Sequence, residues 1–421
     1  MKSKMVASII KSLSMNQINK KTKSNYKIFI IAGEASGDLL GSKVIAGFKN
    51  KLKDNKKNLN FVGIGGLLMK EEGLKSIFPM EDLSVMGIAE VIPHIPKLLK
   101  RIKQTVDAII EEKPDLVVTI DSPDFSFRVI KKLLKEVARN DTLSNEIKSL
   151  KKIHLIAPSV WAYRANRAKK IAKLYDLLLA ILPFEPPYFE KYGLKTIFIG
   201  NPIVEKSPDF KKKNVCDKEF RQKYNIKVTD KIIYVTPGSR ISEVKRIFPQ
   251  FIKAINLLAK DYDNIKIVIP TVKKTVNLVK KMSQNINCDY FLIDNNEKES
   301  ALFSSNFALA KSGTNNIEIS LYKIPLIIAY RFNFFTYLLA KIMIKVKFAN
   351  LINIILNKQL IPELIQYNCK ENRIYQELKN LINNENICQK QVKEAQLALN
   401  ILGLNSKTSS TQKIIDECLK L

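Results

Sequence analysis

Short unbroken apolar runs recur along the chain, each closed by a turn and followed by apolar residues at helical spacing. Lys27 to Ala32 (KIFIIA), Phe61 to Ile64, Asp115 to Ile120 (DLVVTI), Ile153 to Ile156, Asp176 to Leu182 and Thr196 to Ile199 read as strands. Leu39 to Leu52 and Phe127 to Val137 read as helices between them. Continuous rather than alternating apolarity suits parallel strands covered on both faces. Gly200-Asn201-Pro202 closes this half, and the polar, basic, Pro-containing segment Lys206 to Asp217 is the best linker candidate. The alternation then restarts, with strands at Lys231 to Val235, Ile265 to Ile269, Tyr290 to Ile293, Phe307 to Ala310 and Ile324 to Ala329. The pattern predicts an α/β protein with two Rossmann-like, doubly wound domains facing a central cleft. The expected division is a basic disordered leader at 1–26, an α/β domain at 27–205, a second at 206–400, and a C-terminal helix or tail at 401–421. Ligands of such sheets lie beyond the carboxyl ends of the strands, here between the domains.

The charge narrows the partner only a little. Lys and Arg number 70 against 40 acidic residues, a net charge of +30 in 421 residues, which favours anionic partners. The basic residues are spread along the chain without an RNA-recognition or helix-turn-helix signature, so nucleic acid is not expected. Five widely spaced cysteines with no CxxC pair indicate neither a zinc site nor a disulfide framework, and fit a reducing cytoplasm. With only His94 and His154 in the chain, a His-based metal site or a Ser-His triad is not expected. No apolar run approaches the roughly 20 residues of a membrane span.

The candidate chemistry lies at strand ends. GEASGD, Gly33 to Asp38, follows the first strand and would turn Glu34, Ser36 and Asp38 toward the crevice; it lacks GxGxxG spacing, so no dinucleotide site is implied. TIDSPDF, Thr119 to Phe125, places Asp121 at the end of a buried strand, where apolar surroundings would raise its pKa and suit a general base. Asp124 follows Pro123 at a helix start, suits N-capping, and is the reserve base. In APSVWAYR, Ala157 to Arg164, Trp161 either stacks on a sugar or belongs to the core, while Arg164 and Arg167 could reach a phosphate. In VTPGSRISE, Val235 to Glu243, Gly238 and Ser239 offer backbone amides and Arg240 a planar donor fork for a diphosphate. FALAKSGTNNIE, from Phe307, repeats the design: Gly313 permits close approach, Ser312 or Thr314 could cap the helix, and its first amides suit phosphate. Glu318, one turn on, could accept hydrogen bonds from sugar hydroxyls.

Two stretches look toward lipid. Leu83 to Ile102 carries Val85, Met86, Ile88, Val91, Ile92 and Ile95 beside Lys97, Lys100, Arg101 and Lys103, a combination suited to an anionic membrane surface or else to a buried hairpin. Phe332 to Ile365 mixes aromatics, aliphatics and lysines, finishes in amphipathic helices, and reads either as helix packed against the other domain, the more common case, or as a surface that touches lipid.

GEASGD, LSVMGIAEV, TIDSPDF, APSVWAYR, LPFE (Leu182 to Glu185), PGSR and KSGTNNIE occur in the order found in the lipid-A-disaccharide synthase family, and the chain resembles that family from about Lys27 to Leu360–Glu363. The resemblance implies a GT-B glycosyltransferase, peripheral on the inner face of the bacterial inner membrane. It implies the condensation of UDP-2,3-diacylglucosamine with 2,3-diacylglucosamine 1-phosphate, with inversion at the donor carbon and release of UDP. It also implies Asp121 as base, Arg240 and the Ser312-Gly313-Thr314 turn on the departing diphosphate, Glu318 on the ribose, and no cofactor or metal. Assembly as a homodimer is left open. TIDSPDF and LSVMGIAEV argue against the nearest rivals, a peptidoglycan N-acetylglucosaminyltransferase or a UDP-sugar epimerase. Two departures stand out: the family often has Gly-His-Pro at Gly200-Asn201-Pro202, and small residues in place of Asn315 and Asn316.

Overall fold

The computed structural model describes residues 25–53, 58–83, 95–140, 142–143, 145–333, 337 and 346–421. The expected leader up to residue 24, His94, and the apolar candidates Val85, Met86, Ile88, Val91 and Ile92 lie outside the described residues.

Seven parallel strands form the first sheet: β1 (Asn25–Ala32), β2 (Asn58–Ile64), β3 (Lys75–Ser76), β4 (Leu116–Ile120), β5 (Lys151–Leu155), β6 (Leu177–Ala180) and β7 (Thr196–Phe198). Six parallel strands form the second: β8 (Lys231–Thr236), β9 (Ile265–Pro270), β10 (Tyr290–Ile293), β11 (Phe307–Lys311), β12 (Leu326–Tyr330) and β13 (Glu363–Ile365). The spatial orders are β3-β2-β1-β4-β5-β6-β7 and β10-β9-β8-β11-β12-β13. Each is a doubly wound order that reverses beside its first strand, between β1 and β4 and between β8 and β11. Register makes those strands end together: Ala32 pairs with Ile120, and Thr236 with Ala310. The turns after them are therefore the ones brought to each crevice.

The expected α/β class holds because the central strands are apolar on both faces. Ile28 to Ala32 and Ile232 to Val235 are essentially inaccessible, under helices such as Ala35–Leu52 and Ile241–Asp261. The short edge strands β3 and β13 escape the pattern, and Glu363–Ile365 is a strand paired with Ile328–Tyr330 rather than the end of a helix. A small apolar cluster joins the halves: Leu182 and Val204 meet Ile317, Leu321, Leu399 and Leu402, with Trp161 packed against it. After this junction the helix Ser410–Leu419 returns to the first core, burying Ile414, Ile415 and Cys418 there. Asn201, at the position where the family often has histidine, is buried at the crossing; its amide donates to Leu402 O at 2.8 Å and its side chain accepts from Ile203 N.

Candidate active site

On the first sheet, the turns after β1 and β4 touch. A side chain at Gly33 would place its Cβ 2.3 Å from Ser122 Oγ, so only glycine lets the two turns approach this closely. Asp121 and Ser122 have φ of 49° and 44°, a left-handed pair at the strand-to-helix junction. Such backbone cost is tolerated where the surroundings fix it and is characteristic of functional sites. The Asp121 amide donates to Leu155 O and its carbonyl accepts from Ser126 Oγ, which anchors the turn to β5 and to the helix Pro123–Arg139. Burial raises the Asp121 carboxyl above its usual pKa, against the lowering effect of a hydrogen bond from the Ser122 backbone. Glu34 is also raised, first by burial and then by the negative charge of Asp121, while the Arg240 guanidinium opposes the shift.

Other expectations for this half are revised. Asp38 does not face the crevice: its carboxylate is buried and accepts from the amides of Gly66, Leu68 and Met69 at 2.8, 3.1 and 3.1 Å. It satisfies the open amides of the short helix Leu67–Glu71, a structural task. Ser36 is exposed in the first turn of its helix. Asp124 stands in a helical first turn but pairs with Arg167 at 2.7 Å rather than capping. Arg167 also covers the Phe127 ring, which leaves Arg164 as the exposed arginine of this loop, at φ 55°. Trp161 is held edge-on to Phe184, and its indole N–H donates to Glu185 Oε1 at 3.2 Å. The indole therefore belongs to the packing between the halves. His154 is fully buried in β5, with Nδ1 2.7 Å from Thr119 Oγ1, and burial pushes its pKa down to about 3, which keeps it neutral.

On the second sheet, Gly238 has φ +131°, and an added Cβ would lie 2.9 Å from both Cβ and Oε2 of Glu243. Arg240 opens the helix Ile241–Asp261 and is well exposed. Beneath it, buried Glu243 accepts from Ser239 N and Arg240 Nη1, both at 3.3 Å, and pairs with Lys311 Nζ at 3.2 Å. The Ser312-Gly313-Thr314 turn leads into the short helix Asn315–Leu321. Neither hydroxyl caps it: Thr314 makes no capping bond and Ser312 Oγ is 3.5 Å from Ala349 O. Instead Asn315 Nδ2 donates to Thr236 Oγ1 at 2.7 Å, tying the turn to the end of β8. Asn316 is buried. Glu318 carries a 2.5 Å ion pair with Lys298.

Thus Glu34 feels the charges of both Asp121 and Arg240, one from each sheet, while Asp38 is bound to the amides of a neighbouring helix and Trp161 to Glu185. Sequence reasoning passed over Glu243, Lys311 and Glu185. A carboxylate three residues after Arg240 was the available signal for Glu243, since that spacing returns to the same helix face. Among the described residues no group of three or more His, Cys, Asp or Glu side chains is placed to hold a metal ion. Nor is any helix among them long and apolar enough to cross a membrane. Of the basic residues expected at a lipid surface, Lys97 and Arg101 pair with Asp82 at 2.6 Å, and Arg101 also lies over Phe78. Lys100 is exposed, and so are Ile95 and Leu99 on the same helix.

Two doubly wound domains with a cleft at their switch points define the GT-B class of glycosyltransferases and their relatives. Similar solved structures include the S. aureus MnaA-UDP co-structure, with TM-score 0.61 and 15% identity over 94% of this chain and 96% of that one. Acinetobacter baumannii MurG gives TM-score 0.55 and 10% identity over 94% and 100%. The family is fixed by sequence: the Lipid-A-disaccharide synthetase model matches residues 28–416. The chain is 42% identical to the lipid-A-disaccharide synthase of Rickettsia prowazekii over 91% of its own length and 96% of the relative's. It is 41% identical to that of Rhodospirillum centenum, over 87% of each. The chain belongs to the lipid-A-disaccharide synthase family, glycosyltransferases of lipid A biosynthesis.

Proposed function

We propose that this protein joins UDP-2,3-diacylglucosamine to 2,3-diacylglucosamine 1-phosphate by a single inverting displacement. The observation that carries this reading is the family match over residues 28–416; in its support, Glu34 at the first switch point feels the charge of Asp121 and, in the opposite sense, that of Arg240 from the second. Asp121 takes the proton of the acceptor's 6-hydroxyl as that oxygen attacks the donor's anomeric carbon. The carbon–oxygen bond to UDP breaks, and its electron pair leaves with the diphosphate. The Gly238 amide, the Arg240 guanidinium and the Ser312-Gly313-Thr314 turn offset that developing charge without a metal, while the Ser239 amide stays on Glu243. Glu318 binds the ribose, exchanging its Lys298 partner for sugar hydroxyls. Glu34, beside Asp121, orients the acceptor, and Arg164 is available to the acceptor's phosphate. The helix Ile95–Glu112 presents Ile95, Leu99 and Lys100 to the anionic inner-membrane surface from which both lipids come.

The configuration of the product tests the mechanism. Incubation with both lipids is expected to give a β-1′,6-linked disaccharide 1-phosphate, identified by the anomeric coupling in its NMR spectrum. An α linkage, or no disaccharide, contradicts the proposal.

A further inference from the structure

Lys311 lies between the two turns assigned to the departing diphosphate. It ends β11, and its Nζ is 3.2 Å from Glu243 Oε1, in the first turn after the Gly238–Arg240 loop. The same Nζ is 3.6 Å from where a Cβ would sit on Gly313, and it lies over the Tyr330 ring at 5.5 Å. Glu243 binds this ammonium together with Arg240 and the Ser239 amide, while its own side chain is only 5% exposed. Arg240 is 61% exposed and Lys311 20%, so the carboxylate lies below and the cations lie nearer solvent. The guanidinium supplies a planar fork, and the ammonium a compact charge suited to phosphate oxygens.

We propose that Lys311 is a second cation for the donor's diphosphate, acting beside Arg240, and that Glu243 is the positioning residue that holds both before the donor arrives. The inference rests on the glycosyltransferase reading above. As the anomeric carbon–oxygen bond breaks, the electron pair passes to the β-phosphate oxygen, and Lys311 shares with Arg240 the stabilisation of that charge. A lysine that only neutralised Glu243 would cease to matter for nucleotide binding once Glu243 is replaced by Gln.

Calorimetric titration of the full chain with UDP and with uridine separates these roles. Lys311→Gln is expected to weaken UDP binding about tenfold, the loss of one charge-assisted contact, with uridine affinity unchanged because uridine has no phosphate. Lys311→Arg is expected to keep most of the UDP affinity. In a Glu243→Gln background Lys311→Gln is expected still to weaken UDP binding, though by less because the lysine is no longer held in place; no effect in that background would mean that it serves only to neutralise Glu243. A folded Lys311→Gln protein that binds UDP like wild type, or loses UDP and uridine equally, overturns the inference. If wild type binds no UDP, the glycosyltransferase reading itself fails.

Discussion

Replacing Asp121 by Asn removes the proposed base while keeping its turn. Left-handed backbone costs most side chains about 1–2 kcal/mol, and Asn and Asp least, so at φ 49° Asn fits where Ala adds a folding cost. Because burial raises the folded pKa of Asp121, any stability linked to its protonation is present below the unfolded value and lost as pH rises through the folded one. At neutral pH the carboxylate is therefore a net cost to folding, and Asp121→Asn should melt no lower than wild type. Loss of a general base slows the chemical step about 10²–10⁴-fold, or about 3–5 kcal/mol in the barrier. The assay is steady-state turnover with both lipids. A kcat at least about 100-fold lower is expected for Asn, and the same loss with a lower melting temperature for Ala. Wild-type kcat/KM should fall toward acid pH with an apparent pKa above the usual aspartate value. An Asn variant within about threefold of wild-type kcat would refute the assignment of Asp121 as base.

The remaining predictions concern the scaffold and the surface. Gly238→Ala forces a Cβ to 2.9 Å from Glu243 at φ +131°; about 1–3 kcal/mol of stability should be lost in denaturant unfolding, and a normal midpoint would contradict the loop geometry. Burial pushes Glu185 up to about 8, opposed by hydrogen bonds from Leu182, Trp161 and Ile181. Its stability contribution is full below the unfolded pKa of about 4.3 and lost as pH rises through about 8. Unfolding free energies of wild type should thus fall between pH 5 and 9 more steeply than those of Glu185→Gln; parallel profiles would remove this role. Ile95→Ser and Leu99→Ser with Lys100→Glu should weaken sedimentation with anionic vesicles while leaving the melting temperature unchanged, and undiminished binding would place the membrane contact elsewhere. Lys97 and Arg101 suit that test less well, because their pairs with Asp82 would be broken too.

Most of the architecture was legible because parallel strands covered on both faces leave continuous apolar runs, and turns at their carboxyl ends stand out against them. β3 and β13, of two and three residues, carry too little pattern to register. The site was legible by residue type but only partly by direction. A carboxylate after a Gly-rich turn reads the same whether it stays half-exposed at the turn, as Glu34 does, or satisfies another helix, as Asp38 does through amides 28 to 31 residues away. Asp124 likewise meets its partner Arg167 43 positions on, and Trp161 meets Glu185 after 24. Such contacts are set by sheet order, which local pattern does not encode.

UDP release measured with each lipid alone and with both together tests the central claim most directly. Purified protein is expected to release UDP from UDP-2,3-diacylglucosamine only when 2,3-diacylglucosamine 1-phosphate is also present, one UDP for each disaccharide formed. Release that is independent of the acceptor, or no release with both lipids on anionic vesicles, would contradict it.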